Sequence, residues 1–155
     1  MLIQTPEALR TEHQELHDQL ALAIEAGGRT GKAAEIVAQL LHPHFVKEEE
    51  VALPPLGLLA ELARGNFPSH AVSVLALTEK LEAELPAMLA EHKAIVAALR
   101  DLTAAATAEK KAAHAEFAEK LILHARTEEE VMYPAAILVG KWVRHLAGAK
   151  TGGAA

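Results

Sequence analysis

Two stretches of the sequence, residues 44–54 and 124–134, each place a glutamate four residues after a histidine and end in proline. They are near-copies, separated by 80 residues, and a further histidine precedes each copy, at His13 and at His92. Because helical residues four apart lie on one face, each His-x-x-x-Glu points an imidazole and a carboxylate the same way. The repeated pattern predicts a two-fold metal site with nitrogen and oxygen ligands.

A histidine on an apolar stripe is usually a hydrogen-bonded core residue, and a run of glutamates is usually a solvated face. Here four stripe histidines fall on four predicted helices, and burying them without partners would cost about 1–3 kcal/mol each. His17 lies one turn after His13 and can join them. The predicted ligands are His13, His17, His44, Glu48, His92, His124 and Glu128. The other four histidines, His42, His70, His114 and His145, are predicted to be surface or structural residues.

This ligand set predicts how many coordination positions remain free. Two six-coordinate ions need about twelve positions. Five imidazoles, two bridging carboxylates and a bridging oxide or hydroxide supply about eleven, which leaves room for one small exogenous ligand. The mixture of imidazole and carboxylate favours iron over magnesium or calcium, and structural zinc needs fewer ligands. The predicted cofactor is therefore two iron ions in an oxo- or hydroxo-bridged di-iron centre.

The elements that must position these ligands are predicted to be helices, because alanine, leucine, glutamate and lysine dominate the sequence. Thr5 is the predicted N-cap of the first helix, and the second begins near Gly31. The third carries Pro86, where it starts or kinks, and Thr107 caps the fourth. The inward positions of the second and fourth helices are Val37, Leu41, His44, Glu48 and Val51, and Phe117, Leu121, His124, Glu128 and Val131.

The prolines at the ends of the two repeats divide the chain. Pro54 and Pro55 stop or bend the second helix, and Pro134 ends the fourth. A short linker helix is predicted at 56–64 and a short C-terminal helix at 135–147. The predicted fold is all-α: an up-down-up-down four-helix bundle forming a single domain over residues 1–150, with a disordered tail at 151–155.

Composition excludes several classes of function. A formal net charge of −6 argues against nucleic acid as a partner. The apolar runs are too short to span a bilayer, and the N-terminal residues lack the features of a signal peptide. Cysteine is absent, which suits a reducing compartment. We therefore expect a cytoplasmic protein that does not bind membranes.

The sequence resembles the hemerythrin-like, or HHE cation-binding, proteins. The resemblance is carried by Glu12-His13, His44-x-x-x-Glu48, Glu91-His92 and His124-x-x-x-Glu128, and it covers about residues 5–140. It implies a four-helix bundle with a non-haem di-iron centre that binds dioxygen reversibly. In bacterial members such centres are tied to sensing, storage or detoxification of oxygen or nitric oxide. All predicted ligands except His17 fall on ligand positions of the family.

Two departures from the family pattern concern the ligands. Oxygen-carrying members place a His-x-x-x-His pair on the third helix, whereas here the pair is His13 and His17 on the first and Val96 stands at the matching place. This swap could keep the ligand count while exchanging the roles of the two irons. The carriers also end in His-x-x-x-x-Asp, so Glu128 is the predicted bridging residue and Glu129 the alternative.

The favoured function is reversible binding of dioxygen or nitric oxide at one open iron position, for storage, scavenging or sensing. A ligand-binding metalloprotein is preferred to an enzyme. The alternatives are a di-iron enzyme with ferroxidase or peroxidase-type activity, an iron-sensing interaction module and, last, a metal-free bundle. The sequence does not identify a protein partner.

Overall fold

The computed structural model describes the backbone of residues 3–152 and the side chains of residues 3–149, and this part of the chain is helical and contains no strand. The α-helices are α1 (Glu7–Glu25), α2 (Gly28–Lys47), α3 (Leu59–Ala63), α4 (Val74–Ala108), α5 (Ala112–Thr127) and α6 (Tyr133–Gly152). Two π-helical turns, Glu48–Ala52 and Glu128–Met132, follow α2 and α5. Two 3-10 segments, Pro54–Leu58 and Ala71–Ser73, flank α3. Within the described residues, no helix has both the length and the apolar character needed to cross a membrane.

Helices α1, α2, α4 and α5 pack around one main apolar cluster. The cluster takes residues from all four helices, including Leu16, Leu41, Leu99 and Leu121, each at most 2% exposed. Burying such side chains contributes about 1.5–3 kcal/mol each before the cost of ordering the chain. The predicted all-α class is therefore confirmed, and the arrangement is a helical bundle.

A second apolar cluster forms where the π-helical turns and α6 meet α4. It contains Val51, Leu53, Leu81, Met88 and Tyr133. Along α2, α4 and α5, the predicted metal ligands lie between residues of the main cluster and residues of this second one. The two apolar clusters therefore flank a buried polar layer.

Three helices start at residues other than those predicted from Thr5, Gly31 and Thr107. Pro6, not Thr5, precedes the first helical residue, and α2 begins at Gly28 rather than near Gly31. Thr107 lies inside α4, and α5 starts after Lys111. None of these three helices has a side-chain N-cap hydrogen bond from the residue before it, so local capping rules located their starts only approximately.

The prolines interrupt the helices less than predicted. Of the two alternatives predicted at Pro86, a helix start or a kink, the start is wrong, since α4 runs for 35 residues through this proline. Pro134 is the second residue of α6, a position where proline is tolerated because no donor is needed. The C-terminal helix is therefore 20 residues long, not short. Of the tail predicted at 151–155, two residues continue α6 and residues 153–155 lie outside the described residues.

One predicted core residue, in the second π-helical turn, is wrong. Val131 was predicted to face inward, yet it is 58% exposed, and Tyr133 is buried instead. A π-helical turn accommodates one extra residue and rotates everything after it relative to an α-helix. The equivalent residue of the first π-helical turn, Val51, is 4% exposed as predicted, so the turn by itself does not account for the exposure of Val131.

The turn between α1 and α2 is held by a glutamate from the far end of α4. The carboxylate of Glu109 accepts hydrogen bonds from the backbone N–H groups of Arg29 (2.8 Å) and Thr30 (3.0 Å). Gly28 has a φ of +63°, and a Cβ there would lie 2.5 Å from Glu109 Oε1. Glu109 thus caps α2 from a distance, where the helix dipole favours an anion.

We expect Glu109→Gln to lower the melting temperature by a few degrees at neutral pH. The hydrogen bonds from Thr30 and from the two backbone groups lower the pKa of Glu109 from 4.5 to about 2. Its stabilisation is therefore complete above pH 4.5 and is lost as the pH falls through about 2. Thermal unfolding between pH 7 and pH 2.5 should show the gap between parent and variant closing. The exposed Glu116→Gln is the control, and a gap of constant size would contradict the prediction.

Candidate metal centre

Six of the seven predicted ligands come together in the buried polar layer. Their ligand atoms form two groups, each with all atoms within 4.8 Å of one another. Site A consists of His44, Glu48, His92 and Glu128, and site B consists of His13, His124 and Glu128. All six residues are at most 4% exposed. Glu128 belongs to both sites, as expected of a bridging carboxylate.

The two central carboxylates each contact imidazoles of both sites. Glu128 lies 2.8 Å from Nε2 of His124, 3.4 Å from that of His13 and 3.3 Å from that of His92. Glu48 lies 3.1 Å from Nε2 of His44 and 3.8 Å from Nε2 of both His13 and His92. The structure therefore arranges four imidazoles around two carboxylates, with every Nε2 directed inward.

An outer shell of four glutamates lies against the opposite ring nitrogens. Nδ1 of His44 lies 2.7 Å from Glu91 and Nδ1 of His92 lies 2.9 Å from Glu129. Nδ1 of His13 and of His124 lies 3.3 Å from Glu49 and from Glu12, respectively. Such contacts fix the ring orientation and raise the basicity of a metal ligand.

The four outer glutamates occupy repeated positions next to predicted ligands in the sequence, although the sequence did not show which histidine each of them contacts. Glu12 and Glu91 directly precede a ligand histidine, and Glu49 and Glu129 directly follow a ligand glutamate. The pairing is crossed: each of these glutamates contacts a histidine on a different helix. The structure places Glu129, the alternative bridging residue, in this outer shell.

Several buried polar atoms have no hydrogen-bond partner among the described residues. They are Oε2 of Glu48 and both ring nitrogens of His124, whose close contacts with Glu128 and Glu12 do not have hydrogen-bond geometry. Leaving such atoms unsatisfied costs about 1–3 kcal/mol each. A cation with nitrogen and oxygen ligands would satisfy them, so the residues present fit a metal ion.

The electrostatics of the layer also favour a cation. Burial lowers the pKa of His92, but hydrogen bonds to Glu128 and Glu48 outweigh burial and raise it to about 10. The pKa values of His13, His44 and His124 are raised in the same way. Burial raises the pKa of Glu128, yet the close imidazoles of His124, His13 and His92 stabilise its charged form and bring the pKa below its usual range. A bound cation would take the place of the protons that these raised pKa values favour on the imidazoles.

Tyr133 is a site residue that the sequence reasoning missed. Its hydroxyl donates to Glu48 and lies 3.2 Å from Nε2 of His92 and 3.4 Å from Nε2 of His44. Burial and the neighbouring carboxylates Glu48 and Glu128 raise its pKa. The only signal in the sequence was that the single tyrosine directly precedes the proline of the second repeat. Tyr133 therefore closes site A on the side of the second apolar cluster.

Tyr133→Phe is expected to weaken metal binding at site A by about 10–100-fold, the usual cost of losing a supporting hydrogen bond. In the metal-free protein it should lower the free energy of unfolding by about 1.5–3 kcal/mol, since the lost bond goes to a charged group. Phenylalanine keeps the ring, which stacks on His92 with centroids 5.7 Å apart, so packing is preserved. Metal titration and urea unfolding measure the two effects, and an unchanged affinity would argue against a role for the hydroxyl.

His17 is the one predicted ligand that lies outside both groups. Its half-buried ring stacks on His42 with centroids 5.1 Å apart and meets the edge of Phe45 at 5.0 Å. Phe45 in turn stacks on His13 at 4.1 Å. Burial, followed by the nearby His42, lowers the pKa of His17. The histidines predicted to be surface or structural, His42, His70, His114 and His145, also lie outside both groups.

Comparison with known protein families gives one match. Residues 5–136 match the hemerythrin HHE cation binding domain. No curated protein and no solved structure matches the chain. The matched region contains every residue of sites A and B, together with Tyr133.

Proposed function

The chain belongs to the hemerythrin HHE cation binding family, and from this premise we propose that it holds a non-haem di-iron centre that binds dioxygen or nitric oxide reversibly. The observation that carries the proposal is the pair of buried ligand groups that share Glu128. Two metal positions joined by a carboxylate are the arrangement that a di-iron centre requires. We also propose an up-down-up-down order for α1, α2, α4 and α5, because short turns join α1 to α2 and α4 to α5.

In this proposal, each site has its own ligands. His44 and His92 hold the ion at site A, His13, His17 and His124 hold the ion at site B, and Glu48 and Glu128 bridge the two ions. Iron at these positions would supply the electrons that a bound gas molecule accepts. The imidazole and carboxylate donors favour iron over magnesium or calcium.

The open coordination position is proposed to lie at site A. With His17 counted as a ligand, site B has three imidazoles and site A has two, while the bridging groups serve both ions equally. Phe45 packs against His13 on the side of site B, and the neighbouring core is apolar. The wall consists of Val37, Leu41, Phe117 and Leu121, all at most 4% exposed. Such a dry wall slows oxidative decay by keeping water away from the bound gas.

The test is made on iron-loaded protein prepared without oxygen. It should be colourless, turn coloured in air, and bleach again on degassing, with two irons per chain by elemental analysis. Nitric oxide should give a second, distinct absorption spectrum. Protein that binds no metal under these conditions would overturn the di-iron proposal, and colour that never bleaches would overturn reversible binding.

His17 is retained in this proposal as a ligand at site B. Because Phe45 contacts both His17 and His13, the ring of His17 reaches an ion at site B only after Phe45 turns away. We expect His17→Ala to lose reversibility, so that air oxidises the iron permanently. The control is His42→Ala, which removes the exposed stacking partner. Absorption spectra through cycles of air and degassing measure the effect, and a His17 variant that bleaches like the parent would remove His17 from the ligand set.

A second candidate function rests on the position of His17 outside both groups. If His17 is not a ligand, more positions at site B are open, and ferroxidase or peroxidase-type activity becomes possible. Steady consumption of hydrogen peroxide or of ferrous iron by the parent protein, with colour that does not bleach, would favour the enzyme over the gas binder.

A further inference from the structure

A groove of about 420 Å³ lies between α4 and α5 and reaches His92 of site A. Its floor is built from small and apolar side chains: Val96, Ala97, Ile122 and Ala125. Three cations, Lys93, Arg100 and Arg126, and two acids, Glu129 and Glu130, also line it. Its volume is within the range of sites that bind small molecules.

The groove exists because the two copies of the repeat differ at three positions. Val96, Ile122 and Ala125 correspond to His17, His42 and Phe45 in the first half of the chain. There the three rings pack together, with His17 stacked on His42 and in edge contact with Phe45. The second half replaces these rings with smaller side chains, so the same location is a groove instead of a packed surface.

The cations of the groove are also specific to the second half. Lys93, Arg100 and Arg126 correspond to Gln14, Ala21 and Val46, none of which is charged. All three cations are exposed, and none makes a hydrogen bond or an ion pair with any residue that the structure describes. The protein as a whole is acidic, with a net charge of −6. Three unpaired cations in one groove therefore mark it as a site for an anion.

We propose that this groove binds a small organic phosphate. The guanidinium groups of Arg100 and Arg126 match the geometry of a phosphate, and Lys93 adds a third positive charge. A phosphate alone would leave much of the groove empty, so the organic part of the ligand lies on the apolar floor. Glu130 repels the phosphate from its own end of the groove, and Glu129 is already in contact with His92.

The groove lies beside the metal centre but is distinct from it. None of the three cations belongs to site A or site B. A ligand in the groove would lie against His92 and against Glu129, which contacts His92. Its binding would therefore affect site A. This inference concerns a second ligand site and does not depend on which gas, if any, the iron binds.

Isothermal titration of the metal-loaded protein tests the proposal, with adenosine monophosphate, adenosine and inorganic phosphate as probes. Adenosine monophosphate should bind at least about tenfold more tightly than adenosine, because only the former engages the cations. Adenosine monophosphate should also bind more tightly than inorganic phosphate, which has no organic part to pack on the apolar floor of the groove. The double variant Arg100→Gln/Arg126→Gln should lose at least about tenfold in affinity for adenosine monophosphate.

The matched control is Arg29→Gln/Lys32→Gln, which removes two exposed cations outside the groove and should bind as the parent does. Equal affinity of the groove variant and the parent would mean that the anion binds the metal directly, and would overturn the proposal. So would the absence of any binding, or equal affinities for adenosine and adenosine monophosphate. Equal affinities for inorganic phosphate and adenosine monophosphate would overturn the proposal that the ligand has an organic part.

Discussion

Glu128→Gln is expected to abolish metal binding at both sites. Glu128 is the one residue common to the two ligand groups, and it contacts His13, His92 and His124. An amide of the same shape cannot bridge two cations as a carboxylate does, so affinity should fall by well over the roughly 10–100-fold seen for supporting residues. Metal content after dialysis, measured by elemental analysis, should fall from two ions per chain to none.

Two neighbouring glutamates provide controls for this variant. Glu130→Gln removes an exposed carboxylate with no contact to either site and should leave the metal content unchanged. Glu129→Gln removes the contact to His92 Nδ1 and should weaken binding by an intermediate amount, about 10–100-fold. If Glu129→Gln lost both ions while Glu128→Gln kept them, Glu129 would be the bridging residue.

Metal removal is expected to lower the free energy of unfolding by about 4 kcal/mol when free metal in the loaded sample is about 1,000 times the dissociation constant. The physical reason is that the ligands converge only in the folded chain, so metal binds the native state and not the unfolded one. The metal-free protein should still fold, because the two apolar clusters do not depend on metal. Urea unfolding at pH 7 with and without a chelator measures the difference.

Glu128→Gln also serves as the control for this stability measurement. Without bound metal, its urea midpoint should be the same in the presence and the absence of the chelator. If the urea midpoint of the parent protein were the same with and without the chelator, the metal centre would contribute nothing to stability, contrary to the expectation. A parent protein that unfolded completely on metal removal would instead fit a module that folds only when loaded.

The sequence by itself determined the helical class and predicted the six residues that the structure brings together in the candidate metal centre. His13, His44 and His124 could be located because a ligand on an inward stripe obeys the same local periodicity as the apolar residues around it. Because the two repeats are separated by 80 residues, Glu48 and Glu128 occupy equivalent positions on two helices. These are short-range properties of a helix, and the structure brings the six residues together where that periodicity directs them.

Only the tertiary structure decided which residues surround those six. Tyr133 entered site A because a π-helical turn rotates the chain after Glu128, and nothing in the periodicity signals the extra residue. The outer glutamates pair across helices, and Glu109 caps a helix from which it is about 80 residues distant in sequence. Such contacts depend on how helices are placed in space, which local patterns do not encode. For the same reason, the packing of His17 against Phe45 and the groove at Ala125 became visible only in the folded chain.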